Sequence, residues 1–320
     1  MNEVLEGLFN PRNKFFKLTE GAKRLTHISL SSLILPIIFL AIAGTLTQLV
    51  FAPLFLGDTI LVAKWVRDVF FLFVLFGTAI ALIFLWVRFF EGRSISSLGF
   101  TKDGALKKYL SGFAIGLLMN SLVVGIMAIF GSIETASEST NTTGLDAVGI
   151  VIIFLFGFVV QGASEEILSR GWMFQVIGSR YKPWIGVLIT AIFFTAVHLG
   201  NAGVNPASVI NLLLVSVLLV LFVMNDGSLW FACAWHSSWN WIMGNVYGLS
   251  VSGHVDKVSI FDLNTTGNEL ISGGGFGPEG SLVTTLVLFL GIIWFGIKVK
   301  NKNVIPNNDD WNSNGTTSPN

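Results

Sequence analysis

The strongest constraint in this chain is a series of apolar runs, each close to the roughly 20 residues that a helix needs to cross the hydrocarbon of a bilayer. Eight can be marked: Ile28 to Leu56, Val69 to Phe90, Tyr109 to Phe130, Ala147 to Leu168, Trp184 to Leu199, Val209 to Met224, Leu229 to Val246 and Leu282 to Ile297. Inside a membrane the backbone must satisfy its own hydrogen bonds, so such runs fold as helices. The expected fold is all-α, a polytopic transmembrane bundle of about eight spanning helices. Composition agrees, with 52% hydrophobic and 12% charged residues and a mean hydropathy of +0.72. The first run is longer than a signal peptide's apolar region, so it reads as a retained span.

Basic residues orient the bundle, because cytoplasmic flanks are enriched in Lys and Arg. With the N-terminus inside, the inner segments hold Arg12, Lys14, Lys17, Lys23 and Arg24, then Arg88, Arg93, Lys102, Lys107 and Lys108, then Arg170, Arg180 and Lys182, then Lys298, Lys300 and Lys302. Of the 19 basic residues only Lys64, Arg67 and Lys257 fall outside. Both termini are therefore expected in the cytoplasm, in a multi-pass integral protein of the cell membrane. Residues 1–27 read as a cytoplasmic segment and 28–299 as the membrane domain. The core of that domain is expected at about 109–247, and 300–320 as a disordered polar tail. A net charge of zero gives no reason to expect nucleic acid as a partner. The single cysteine, Cys233, excludes an internal disulfide.

Ionisable residues inside spans cost roughly 2.5–3.5 kcal/mol each and are functional candidates by default. Glu165, Glu166 and Arg170 lie together near one span's end. Glu166 and Arg170, at i and i+4, share a helix face and can pair. Glu165 is turned about 100° away and stays free to act as a base. The bland alternative is an interfacial charge cluster with Arg170 snorkelling to the headgroups. His198 ends another run, with Phe194 one turn before it. His236 and Asn240 sit at i and i+4 on a third, amid Trp235, Trp239 and Trp241. Glu165 and His198 are about equally far from a turn near residues 180–183, so an antiparallel hairpin would bring them level. His236 lies nearer its own turn at Asp226-Gly227 and fits that depth less well.

A carboxylate and an imidazole that converge can activate a water as general base. A second imidazole and a carboxamide can stabilise an oxyanion. With no Gly-x-Ser-x-Gly elbow, water attack fits better than an acyl-enzyme. Zinc stays open as a cofactor: Glu165, His198 and His236 match a catalytic set of two His and one Glu. A site opening toward the cytoplasmic half is expected from Arg170. The Gly-rich stretch Ser272 to Gly280 contains a further carboxylate, Glu279, with no assigned role.

Glu165-Glu166-x-x-x-Arg170, Phe194-x-x-x-His198 and His236-x-x-x-Asn240, in order on successive runs, resemble the motifs of the CAAX prenyl protease 2 and bacteriocin-processing (CPBP, or Abi) family of intramembrane proteases. The segment from Glu91-Gly92-Arg93 to Leu98-Gly99-Phe100 resembles the amphipathic linker common in that family. The resemblance implies that Glu165 and His198 activate water, that His236 and Asn240 form the oxyanion hole, and that Glu166, Arg170 and Phe194 support them. It implies a peptide or protein substrate in or at the lipid bilayer, CAAX-like or otherwise. Relatives have been described both as metalloproteases and as metal-independent glutamate proteases. A non-catalytic immunity or scaffold protein of the same fold is the alternative.

Overall fold

The computed structural model describes residues 8–55, 64–136 and 141–302. All eight apolar runs are helical: α1 (Leu35–Phe55), α2 (Lys64–Leu85), α3 (Ala105–Ile129), α4 (Val148–Glu166), α5 (Pro183–His198), α6 (Pro206–Asp226), α7 (Trp230–Trp241) and α8 (Leu282–Lys302). Among the described residues six helices are long and apolar enough to cross a membrane. The exceptions are α5, with 16 residues, and α7, with 12 before a wider π-type turn at Ile242–Val246. At 1.5 Å per residue α5 reaches about 24 Å, short of a roughly 30 Å hydrocarbon core.

Local sequence sets the helix ends. Pro183, at the first helical position, has the φ a helix start needs, and its missing N–H would be unpaired there anyway. Asn205 and Ser208 form a reciprocal cap around Pro206 at the start of α6, and Gly227 ends it in the left-handed conformation. The expected turn at 180–183 is present. α4 runs on through a π-type stretch, Ile167–Phe174, into a short helix, Gln175–Arg180, that packs antiparallel to α5.

At the centre, α7 is flanked by α3 and α4, with α8 on α6 and α2 on α4. Two close approaches hold it there. A Cβ on Gly116 of α3 would lie 2.1 Å from Ser238 Oγ, and one on Gly162 of α4 would lie 2.6 Å from Ser237 Oγ. Only glycine lets these helices meet, and Gly162 stands one turn before Glu166. Outside, large apolar side chains project freely, among them Leu49, Leu118 and Trp294. That inverted pattern suits a lipid solvent.

The described part of the N-terminal segment is docked onto the bundle. Phe15 and Phe16 are buried against Phe174, and Asn13 donates to Met224 O at 2.9 Å. At the opposite end two short strand pairs, β1 (Ile133–Thr135) with β4 (Leu263–Thr265) and β2 (Thr142–Thr143) with β3 (Val258–Ser259), join the α3–α4 connection to the segment before α8. Lys300 and Lys302, expected in the polar tail, instead form the last turn of α8, and residues 303–320 lie outside the described residues.

Candidate active site

The first motif faces inward from the junction between α4 and the π-type stretch. A π turn widens the helix and is frequent at functional sites. Here residues 166–178 are all buried. Glu166 and Arg170 pair at 3.0 Å, both side chains fully buried. Arg170 therefore does not snorkel to an interface: its Nη2 donates to Ser216 Oγ of α6 at 2.8 Å and its guanidinium lies 4.7 Å from the Phe194 ring. An opening on the Arg170 side gains no support from this placement. The more exposed members are instead Glu165, His198 and Gln161.

α7 supplies the third motif. His236 Nδ1 lies 2.9 Å from Glu166 Oε1, and its Nε2 lies 3.8 Å from Glu165 Oε2. An ionised carboxylate only accepts, so Nδ1 carries the proton and Nε2 is directed at Glu165. At 3.8 Å the second contact is too long for a hydrogen bond and suits a water held by both groups. Asn240 Nδ2 donates to Gln161 Oε1 at 3.0 Å, and Gln161 Nε2 donates to Glu165 Oε1 at 2.9 Å.

Phe194 carries the second motif. Its ring lies 4.6 Å from the His198 ring and 6.2 Å from that of His236, so both imidazoles flank one aromatic wall. His198, half-buried, ends α5, and its Nδ1 is 2.7 Å from Phe194 O. The loop it opens is tied to the segment before α8, with Asn201 donating to Ser252 O at 2.9 Å. Glu279 belongs to that segment and not to the motif network: its carboxylate accepts from Trp239 Nε1 at 2.9 Å and from the Ser252 amide and hydroxyl at 2.7 Å.

The hairpin reasoning places Glu165 beside His198, with His236 fitting less well, yet His236 is within 3.8 Å of Glu165 and hydrogen-bonded to its neighbour. The close approach of Gly162 to Ser237 draws α7 onto α4 at this depth. A zinc set needs three donors about 2 Å from one point. Among the described residues no group of three or more His, Cys, Asp and Glu stands close enough together to hold a metal ion. Two participants escaped the sequence reading. Gln161 is one turn before Glu165, a spacing that signals a shared face, whereas Ser216 is a small hydroxyl with no marking signal.

Residues 147–242 match a family model described as type II CAAX prenyl endopeptidase Rce1-like. No curated protein and no solved structure matches the chain. The matched stretch runs from the residue before α4 to the residue after α7 and holds every residue of the three motifs. Together with six helices long and apolar enough to span, this makes the chain an integral membrane protein. Over this segment, residues 147–242, the chain is therefore similar to the Rce1-like, type II CAAX prenyl endopeptidase family of proteases.

Proposed function

We propose that this protein is an intramembrane endopeptidase that hydrolyses peptide bonds of membrane-associated or lipidated peptides with a water activated by Glu165. The observation that carries the reading is the 3.8 Å gap between Glu165 Oε2 and His236 Nε2, which a water can bridge. Glu165 takes the water's proton and the resulting hydroxide attacks the scissile carbonyl. His198, stacked on Phe194, is the second group this reading gives to that proton, passing it to the amine that leaves as the C–N bond breaks. Arg170 balances Glu166, and an imidazolium at His236 would balance Glu165, 3.8 Å from its Nε2. Its Nε2–H then becomes an oxyanion donor beside the remaining amide hydrogen of Asn240. Glu166 and Arg170 hold that imidazole in orientation, as a carboxylate does for many catalytic histidines.

The reading extends to eight crossings, with α5 and α7 as short spans, and to both termini on the cytoplasmic side of the cell membrane. The native Cys233 is buried. Cysteines at exposed Asp103 and Lys257 should therefore label from opposite sides, Asp103→Cys from the cytoplasm.

The test of the activity is cleavage of a quenched fluorescent peptide library, prenylated and unmodified, by the protein in liposomes. Wild type should cleave, while Glu165→Ala and His198→Ala should not. Activity that survives a zinc chelator would assign the chemistry to these side chains alone, and loss of it would bring a metal into the reaction. A folded wild type that cleaves nothing would favour an immunity or scaffold role.

A further inference from the structure

Gln161 is outside all three motifs, yet it touches two of the residues they contribute. Its position four residues before Glu165 puts both side chains on one face of α4. The carboxamide is used at both ends: Nε2 donates to Glu165 Oε1 at 2.9 Å and Oε1 accepts from Asn240 Nδ2 at 3.0 Å. These partners fix its orientation, because a carboxylate can only accept and an amide nitrogen can only donate. Any rotation of the Gln161 amide breaks both bonds at once.

Two consequences follow for the groups on either side. Glu165, with one oxygen held by Gln161, keeps its other oxygen toward His236 Nε2. Asn240, with one amide hydrogen given to Gln161, has its oxygen and remaining hydrogen fixed in direction. The same side chain bridges α4 and α7, so the base and the amide donor stay in register. In a spanning helix a polar side chain usually earns its place through such interhelical bonds.

We infer that Gln161 is a positioning residue for the hydrolysis, setting the Glu165 carboxylate and the Asn240 amide in a fixed mutual geometry. The inference rests on the reading of Glu165 as the base. Its effect falls on turnover, because small misplacements of reacting groups cost about 10- to 100-fold in rate. Substrate affinity should be untouched.

The test is steady-state cleavage of a quenched peptide by the full chain in liposomes, comparing wild type, Gln161→Leu, Gln161→Glu, Asn240→Ala and the double variant Gln161→Leu/Asn240→Ala. Gln161→Leu should lower kcat about 10- to 100-fold, with KM within about twofold, in molecules that remain folded. Gln161→Glu, which keeps the acceptor and loses the donor, should also lower kcat and gives a second reading if the leucine variant folds poorly. The double variant should be little slower than Asn240→Ala, because the two act as one unit. Wild-type kcat in both Gln161 variants, with Glu165→Ala inactive, would overturn the positioning role alone, as would a loss confined to KM or penalties that multiply in full. A folded wild type without activity would overturn the endopeptidase reading and this inference with it.

Discussion

Among the described residues lie two buried carboxylate–guanidinium pairs, and they are built to different standards. Glu91 and Arg93 pair at 2.6 Å where α2 gives way to the α2–α3 linker. Both oxygens of Glu91 are used: Oε1 accepts from Thr26 Oγ1 at 2.6 Å and Trp172 Nε1 at 3.0 Å, and Oε2 from Arg93. Arg93 also reaches Gln175, which in turn donates to Phe15 O and Ser97 O. The network ties the N-terminal segment, the linker and the end of the α4 extension into one unit. Each pair leaves one guanidinium nitrogen, Arg93 Nη2 and Arg170 Nε, without a hydrogen-bond partner, but Glu166, by contrast with Glu91, takes both Arg170 and His236 on Oε1 and has none on Oε2. A carboxylate with every bond made rigidifies a fold, whereas one left partly unsatisfied in a buried site holds free energy that a reaction can use.

The largest expected effect is on stability, at the first pair. Glu91→Gln should cost about 3–5 kcal/mol, because it leaves Arg93 buried without its counter-charge, while turnover per folded molecule stays that of wild type. Replacing both members, Glu91→Met with Arg93→Met, should cost far less. A double variant as unstable as the single one would break the comparison. Next is Glu166→Gln, which weakens the orientation of His236 and should lower turnover about 10- to 100-fold in molecules that remain folded. Unchanged turnover would make Glu166 structural, like Glu91.

Smaller effects sharpen the contrast. Trp172→Phe removes one bond to a buried carboxylate and should cost about 1–3 kcal/mol in denaturation in bicelles, with no change in kcat. The last concerns Asp256, in the segment before α8. Burial first, and then the nearby Asp68, push its carboxyl up to about 6, with Lys64, His254 and Asn245 opposing. An acid whose pKa is raised by folding stays protonated in the folded state over a window where the unfolded chain has lost its proton. Stability therefore falls as pH rises from about 4 to about 6. Asp256→Asn should flatten that slope, and a slope identical to wild type would place the titration elsewhere.

The sequence made the three motifs legible because ionisable groups in apolar runs stand out against the cost of burying them. The same cue misleads at Glu91 and Arg93, which stand where α2 ends and look like ordinary interfacial charge. Gln161 carries no charge and so raises no alarm, although its spacing from Glu165 was there to be read. Depth counting found the α4–α5 hairpin but could not place α7, whose position depends on Gly162 admitting Ser237, a contact between helices far apart in sequence. The docking of Phe15 and Phe16 on Phe174 was equally hidden, since aromatic residues near a membrane read as an interfacial belt.

The most direct measurement is a single turnover in water enriched in oxygen-18, with wild type and the isosteric Glu165→Gln in liposomes and a peptide product weighed by mass spectrometry. Wild type should release a fragment whose new C-terminal carboxylate carries one heavy oxygen, with no covalent peptide on the enzyme, and Glu165→Gln should release none. Equal cleavage by Glu165→Gln, or a peptide trapped covalently on the wild-type chain, would contradict activation of water by Glu165.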